Sequence, residues 1–176
     1  MADLSDAKSL ADKANSLYEQ GDFESAARLY GEAASAFQKS DQALDAAEMK
    51  NNQSVAFLQA GNAQSALEAA SGTAAVFSAA SDTRRQGIAL ANEATPLESL
   101  GRRDEAIDKY RQAAAAFEQA GEDQLRASVM QAVAGIYLRR RQVFQALGAA
   151  RAGLDSVKNP TFTQKILRGL LRLRVW

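Results

Sequence analysis

The chain has 176 residues, with 21 basic and 21 acidic side chains, no cysteine and no histidine. That composition excludes disulfides, thiol nucleophiles, cysteine–histidine zinc sites and the usual imidazole general base. Abundant alanine, 47% hydrophobic content, 11 glycines and 2 prolines predict an all-α chain with a continuous core. The charge is not evenly spread: residues 1–121 carry 11 basic and 18 acidic side chains, net −7, and residues 122–176 carry 10 and 3, net +7.

The opening "MADLSDAKSL" is polar and acidic, without the apolar run of a signal peptide. No segment reaches the roughly 20 apolar residues of a membrane span. A cytoplasmic protein is the expectation. Apolar residues at helical spacing run up to Gly21 (Leu10, Leu17) and resume after it (Phe23, Ala26, Ala27, Tyr30). Glycine there suits a helix C-terminus, where a left-handed residue is needed. The same reading carried along the chain predicts helices at 4–20, 23–39, 42–60, 63–80, 83–100, 103–120, 123–140 and 143–157. Asp41, Asp82 and Asp123 stand where aspartate N-caps belong. Pro96 falls inside a predicted helix, removes the bond to the Asn92 carbonyl and predicts a kink. Pro160 closes the last predicted pair, and residues 161–176 fill the place of a ninth helix.

The pattern repeats. Anchors fall at Gly21, Gly61, Gly101 and Arg141, a constant period of 40. Small residues keep register at Ala26, Ala66, Ala106 and Ala146, at Ala33, Thr73, Ala113 and Gly153, and at Ala14, Ser54, Ala94 and Ala134. A late column holds Phe37, Phe77, Phe117 and Val157. Small residues where two helices cross let their backbones approach, and a single helix pair cannot bury both faces, so the pairs must stack.

This resembles the tetratricopeptide-repeat (TPR) family in its longer form of about 40 residues per unit. The resemblance rests on the Gly-x4-Ala step, the small residue seven before it, and the pairs Ala26/Tyr30 and Ala106/Tyr110. It implies one domain over residues 1–176, a right-handed α-solenoid of four units at about 1–40, 41–80, 81–120 and 121–159, plus a C-terminal capping helix at 161–176. The chain departs from the family pattern in lacking an opening tryptophan, in Lys13, Gln53 and Glu93 where leucine is usual, and in Ala70 and Ala150 where an aromatic is expected.

The resemblance further implies a concave groove lined by the first helix of each pair, holding an extended peptide or a partner's helix. By position the groove candidates are Lys8, Asn15, Asn52, Val55, Asn92, Gln131 and Arg139, beside Asn51, Leu58, Ile88 and Leu138. Carboxamides both donate and accept, so they can hold a peptide main chain. Asn52 and Asn92 share one phase and read as functional; Asn51 reads as an ordinary helix residue. Family members that capture C-terminal carboxylates place lysines and an arginine around two asparagines. Here Asn15 and Asn52 match, but Ala11, Ile88 and Asn92 stand at the basic positions, which disfavours that kind of clamp.

On a helical wheel, Phe162, Ile166, Leu167, Leu170, Leu171, Leu173 and Trp176 spread over roughly 220°, wider than the stripe of about 100° that one packed face needs. Lys165, Arg168 and Arg172 share the other side. Capping the solenoid is the first expectation, and self-association the next use of the remaining apolar arc. Weak, reversible contact with an anionic membrane surface is a further one.

No phosphate loop, dinucleotide fingerprint or nucleophile elbow is present. Asp104, Glu105 and Asp108 sit on the first turns of a predicted helix, where acids favour the dipole and Glu105 can reach Lys109. The arginine runs at 84–85, 102–103 and 139–141 lack interleaved aromatics, so nucleic acid is disfavoured. The expected protein is a non-catalytic interaction scaffold with no cofactor or metal, binding another protein in its groove. The alternative is an assembly protein acting through its basic C-terminal helix, as a homo-oligomer or on a membrane surface.

Overall fold

The computed structural model describes residues 4–155, 157–158 and 160–172. Its helices in chain order are α1 (Leu4–Glu19), α2 (Phe23–Lys39), α3 (Ala43–Gln59), α4 (Ala63–Ala70), α5 (Thr73–Ala79), α6 (Thr83–Ser99), α7 (Arg103–Gln119), α8 (Asp123–Arg139), α9 (Val143–Leu154) and α10 (Phe162–Arg172). All the described regular structure is helical. Helices adjacent in the chain pack on one another except α4 and α5; α4 packs on α6, and α3 on both α5 and α6.

The turns carry a period half that of the sequence repeat. Left-handed residues fall every 20 positions from 21 to 141: Gly21, Asp41, Gly61, Ser81, Gly101, Gly121 and Arg141. Each turn makes the same two bonds. At the first, the Gly21 N–H donates to Tyr18 and the Asp22 N–H to Leu17; at the last, the Arg141 N–H donates to Leu138 and the Gln142 N–H to Tyr137. These are the 5→2 and 6→1 bonds of a Schellman ending, and they satisfy carbonyls the helix leaves orphaned. The residue closing each motif also starts the next helix. Asp22, Asn62 and Asp82 do so as side-chain caps, accepting from Ser25, Ser65 and Arg85. Of the aspartates expected as caps, only Asp82 serves. Asp41 takes the left-handed position instead, and Asp123 is the first residue of α8.

The small-residue columns are buried as their spacing requires. Ala26, Ala66 and Ala106 are fully buried, as are Ala14 and Ala94, and Phe77 and Phe117 fill the space between helices. Close approach is measurable at Gly153, where an added Cβ would lie 2.8 Å from the Met130 Cβ and 3.3 Å from the Ala127 Cα. Arg85 ties three elements together. It reaches Asp82 at 2.5 Å and Glu48 of α3 at 3.2 Å, and its guanidinium lies 5.0 Å from the Phe77 ring centre.

The structure differs from the sequence expectation in the second unit. Residues 63–80 are two helices, broken at Ser71 and Gly72, with Gly72 left-handed at φ +80°. The restart is held by the Thr73 hydroxyl, 2.7 Å from the Ala70 carbonyl and 2.9 Å from Asn51 Oδ1. That contact accounts for buried Asn51 as a structural residue. By contrast α6 runs from Thr83 to Ser99 through Pro96 without interruption.

Two tests follow from backbone conformation and packing. Gly61→Ala places a Cβ on a left-handed residue and should cost about 1–2 kcal/mol, whereas Ser81→Gly and Arg141→Gly should each gain up to about 1 kcal/mol in urea unfolding. Gly153→Ala meets backbone and should cost about 1–3 kcal/mol. Gly148→Ala, with nothing within 4 Å, should gain about 0.5–1 kcal/mol.

Candidate functional site

The first helices of the four pairs, α1, α3, α6 and α8, carry the sequence-derived candidates. Three of these meet. Asn15 of α1 and Asn52 and Val55 of α3 line one concavity of about 240 Å³ together with Tyr18 and Tyr30. The two asparagines come from successive units, so the site exists only because the pairs stack in register. Tyr30, buried on α2, donates its phenol to Asn15 Oδ1 at 2.6 Å. Burial pushes the Tyr30 phenol above its ordinary pKa, with Tyr18 and Glu19 adding to the rise, so it stays a neutral donor. With its oxygen engaged, Asn15 has its amide N–H groups to offer, beside the full carboxamide of half-buried Asn52. Tyr18 is braced edge-on against Phe23, ring centres 5.2 Å apart.

The equivalent corner two units on is occupied differently. Tyr110 lies 3.1 Å from the Thr95 hydroxyl and 3.4 Å from Glu98, and Glu98 in turn pairs with Arg139. The polar atoms there are engaged with each other. Arg139 is therefore an ion-pair partner in this structure as well as a candidate contact. Asn92 is half-buried on α6, while Lys8 and Gln131 are exposed on α1 and α8, away from the concavity at Asn15.

Two of the three acids at the start of α7 are engaged in ion pairs. Asp104 pairs with Arg140 at 2.5 Å and Glu105 with Arg102 at 2.6 Å, each arginine holding its carboxyl below the usual carboxylate range. The expected Glu105–Lys109 pair is not formed. Lys109 instead pairs with Glu93, a buried carboxylate in the column where leucine was expected. Glu93 and Lys109 line a second concavity, between residues of α5, α6 and α7, of about 360 Å³. Composition gave no signal for it; a charge in an apolar column was the available clue.

In α10, Phe162 is 78% and Ile166 50% exposed. Arg168 donates to the Asp155 carbonyl at 2.6 Å, and the Gln164 amide meets Gln124, forty residues earlier, at 3.1 Å. The side chains of Leu167, Leu170, Leu171 and Arg172, and all of Trp176, lie outside what the structure describes. No described helix is long and apolar enough to cross a membrane.

No family model and no curated protein matches the sequence. Solved structures do match it. A kinesin light chain from Podosopora anserina with nearly identical TPR-like repeats superimposes with a TM-score of 0.75 at 15% identity, covering 97% of this chain and 87% of that one. BtubC (BKLC) from P. vanneervenii gives 0.73 at 18% identity, covering 96% and 78%. The chain has the TPR-like repeat fold. The Asn15–Asn52 concavity lies on the face formed by the first helices of the first two repeats.

The paired carboxyls set the pH response. Asp82, Asp104 and Glu105 are more acidic folded than unfolded, Asp82 chiefly through the Arg85 backbone N–H. Their contribution is complete above the unfolded value near 4 and is lost as pH falls through the lower folded values. The chain has no histidine to titrate between about pH 5 and 8. The thermal midpoint should therefore be flat from about pH 8 to 5 and drop below about pH 4. Asp82→Asn, which keeps the capping oxygen and removes the charge, should make that drop smaller in scanning calorimetry.

Proposed function

We propose that this protein is a non-catalytic interaction scaffold that holds an extended peptide segment of a partner protein along α1 and α3. The observation that carries the reading is the meeting of Asn15, Asn52 and Val55 in one concavity with Tyr18 and Tyr30. An extended main chain has unmet N–H and C=O groups at regular spacing, and two carboxamides on successive helices match both kinds. Val55 and the tyrosine rings supply apolar walls for one side chain. Asn92 extends the same phase toward the third repeat, where a longer segment would meet it. The acid-rich start of α7 does not compete as a catalytic site, because Asp104 and Glu105 are held ionised by arginines.

Selection of a random peptide library on the full chain, followed by calorimetry with an enriched peptide, tests this. Asn15→Ala combined with Asn52→Ala should weaken that peptide about 10- to 100-fold, the worth of about two hydrogen bonds. The circular dichroism spectrum should be unchanged, although the melting temperature should fall somewhat because buried Tyr30 loses its acceptor on Asn15. Undiminished affinity in the double variant would remove these residues from the binding surface.

A further inference from the structure

One carboxylate beside the concavity at Asn15 and Asn52 has no counter-charge in the described chain. Glu19 is the last residue of α1, where the helix dipole disfavours an acid. Every other acid in the last turn of a described helix has a donor. Glu98 faces Arg139, Glu118 faces Arg126 at 3.7 Å, and Glu68 accepts from the Gln64 amide at 2.8 Å. The Glu19 side chain meets no cation and no hydrogen-bond donor among the described residues. Its exposure does not depend on a chain end, since Gln59 and Ser99, which hold the same column with a unit before them, are exposed too.

Helix geometry places Glu19 with the concavity. It stands four residues after Asn15 and one after Tyr18, so the three share one face of α1. Its charge is felt at the Tyr30 hydroxyl, the group that donates to Asn15. A side chain suited to this place has an apolar stem and a cationic head. Val55 and Tyr18 offer surface to the stem, and Glu19 and the Tyr18 ring attract the head. Lysine and arginine have that build. The wider surface has the same sign, because residues 1–60 carry 10 acidic and 5 basic side chains. Lys8, on the same stripe of α1, is eleven residues from Glu19, about 16 Å along the helix.

We propose that the segment held along α1 and α3 presents a lysine or arginine to Glu19, and that Glu19 selects a basic segment over a neutral or acidic one. This rests on the peptide-binding reading and adds to it the chemistry of the partner. Asn15 and Asn52 meet main chain, which is common to every sequence; Glu19 meets a side chain and so discriminates.

Selection of a random peptide library on three full-length chains tests it: wild type, Glu19→Gln, and Asn15→Ala with Asn52→Ala. Wild type should enrich peptides with lysine or arginine at one fixed position. In calorimetry, an enriched peptide should lose about 3- to 10-fold in affinity when that residue becomes norleucine, and as much when the protein carries Glu19→Gln. The two changes together should cost no more than either alone, because they remove the same contact. Glu19→Gln should melt no lower than wild type, since it relieves the helix dipole, and that separates recognition from a role in the fold. Enriched peptides that are acidic, or that lack a basic position, overturn the inference. So does a Glu19→Gln chain that binds the basic peptide as tightly as wild type. The Asn15→Ala, Asn52→Ala chain reports separately on the peptide-binding reading: its loss of binding leaves that reading standing when the inference fails. No enrichment on wild type removes both.

Discussion

Every feature of this molecule depends on one backbone device, a left-handed residue every 20 positions that ends one helix and aims the next. Between turns there is room for a 17-residue helix, and the remaining three residues form the Schellman ending and the start that follows it. The fixed length keeps small columns opposite small columns from one unit to the next. A one-residue change in any helix would rotate all that follows by about 100° and face alanines with charges. Glycine serves four of the seven turns, and Asp41, Ser81 and Arg141 tolerate the same conformation in the others. A turn that must be made is made even where the residue is not ideal, because two carbonyls and a whole downstream helix depend on it.

Within that frame, the candidate site is set apart by departures from the repeat. Asn15 and Val55 hold equivalent positions in the first and second units, and Thr95 and Gly135 hold them in the third and fourth. Tyr30 and Tyr110 hold another such position, and only the former leaves an open concavity beside it with two carboxamides. The Glu98–Arg139 pair stands where Tyr18 and its neighbours leave space in the first unit. The two halves of the first-helix face are thus chemically distinct. The half at α1 and α3 has free amide groups, and the half at α6 and α8 has its polar groups engaged with one another.

The helices and their columns were legible in the sequence because packing of helix on helix depends on volume, and volume is written directly in alanine, glycine and phenylalanine. That Asn15, Asn52 and Val55 sit together was legible only through the resemblance that placed them on one face. Of the two tyrosines that line the concavity, Tyr30 reads as a packing marker, because a tyrosine's ring and hydroxyl point to different uses, and Tyr18 carries no sequence signal of its own. The break at Ser71–Gly72 was missed since serine and glycine there look like tolerated surface residues. Its cause is tertiary, a buried bond from Thr73 to Asn51 on another helix. Asn51 had been read as solvated for the same reason. Pro96 does not end α6, because a proline removes one bond and a helix packed on both sides continues without it.

A solenoid's ends are where its internal logic stops being self-satisfying. In a closed bundle each apolar face meets another, but in a stack the first and last units present a face evolved for a neighbour. Such a face becomes harmless when polar residues replace the apolar ones. In the first unit the chain has partly done so, with Asp6 and Ser9 in the columns that hold Ala46 and Met49 one unit later. At the back it has done the reverse, putting phenylalanine where three earlier units have acids or amides. A cap of the modest size of α10 does not require that substitution, and α10 leaves Phe144 and Leu147 open. The position is exposed in every unit, Glu24, Gln64 and Asp104 included, so neither the helix packing nor the stacking of units accounts for an aromatic there.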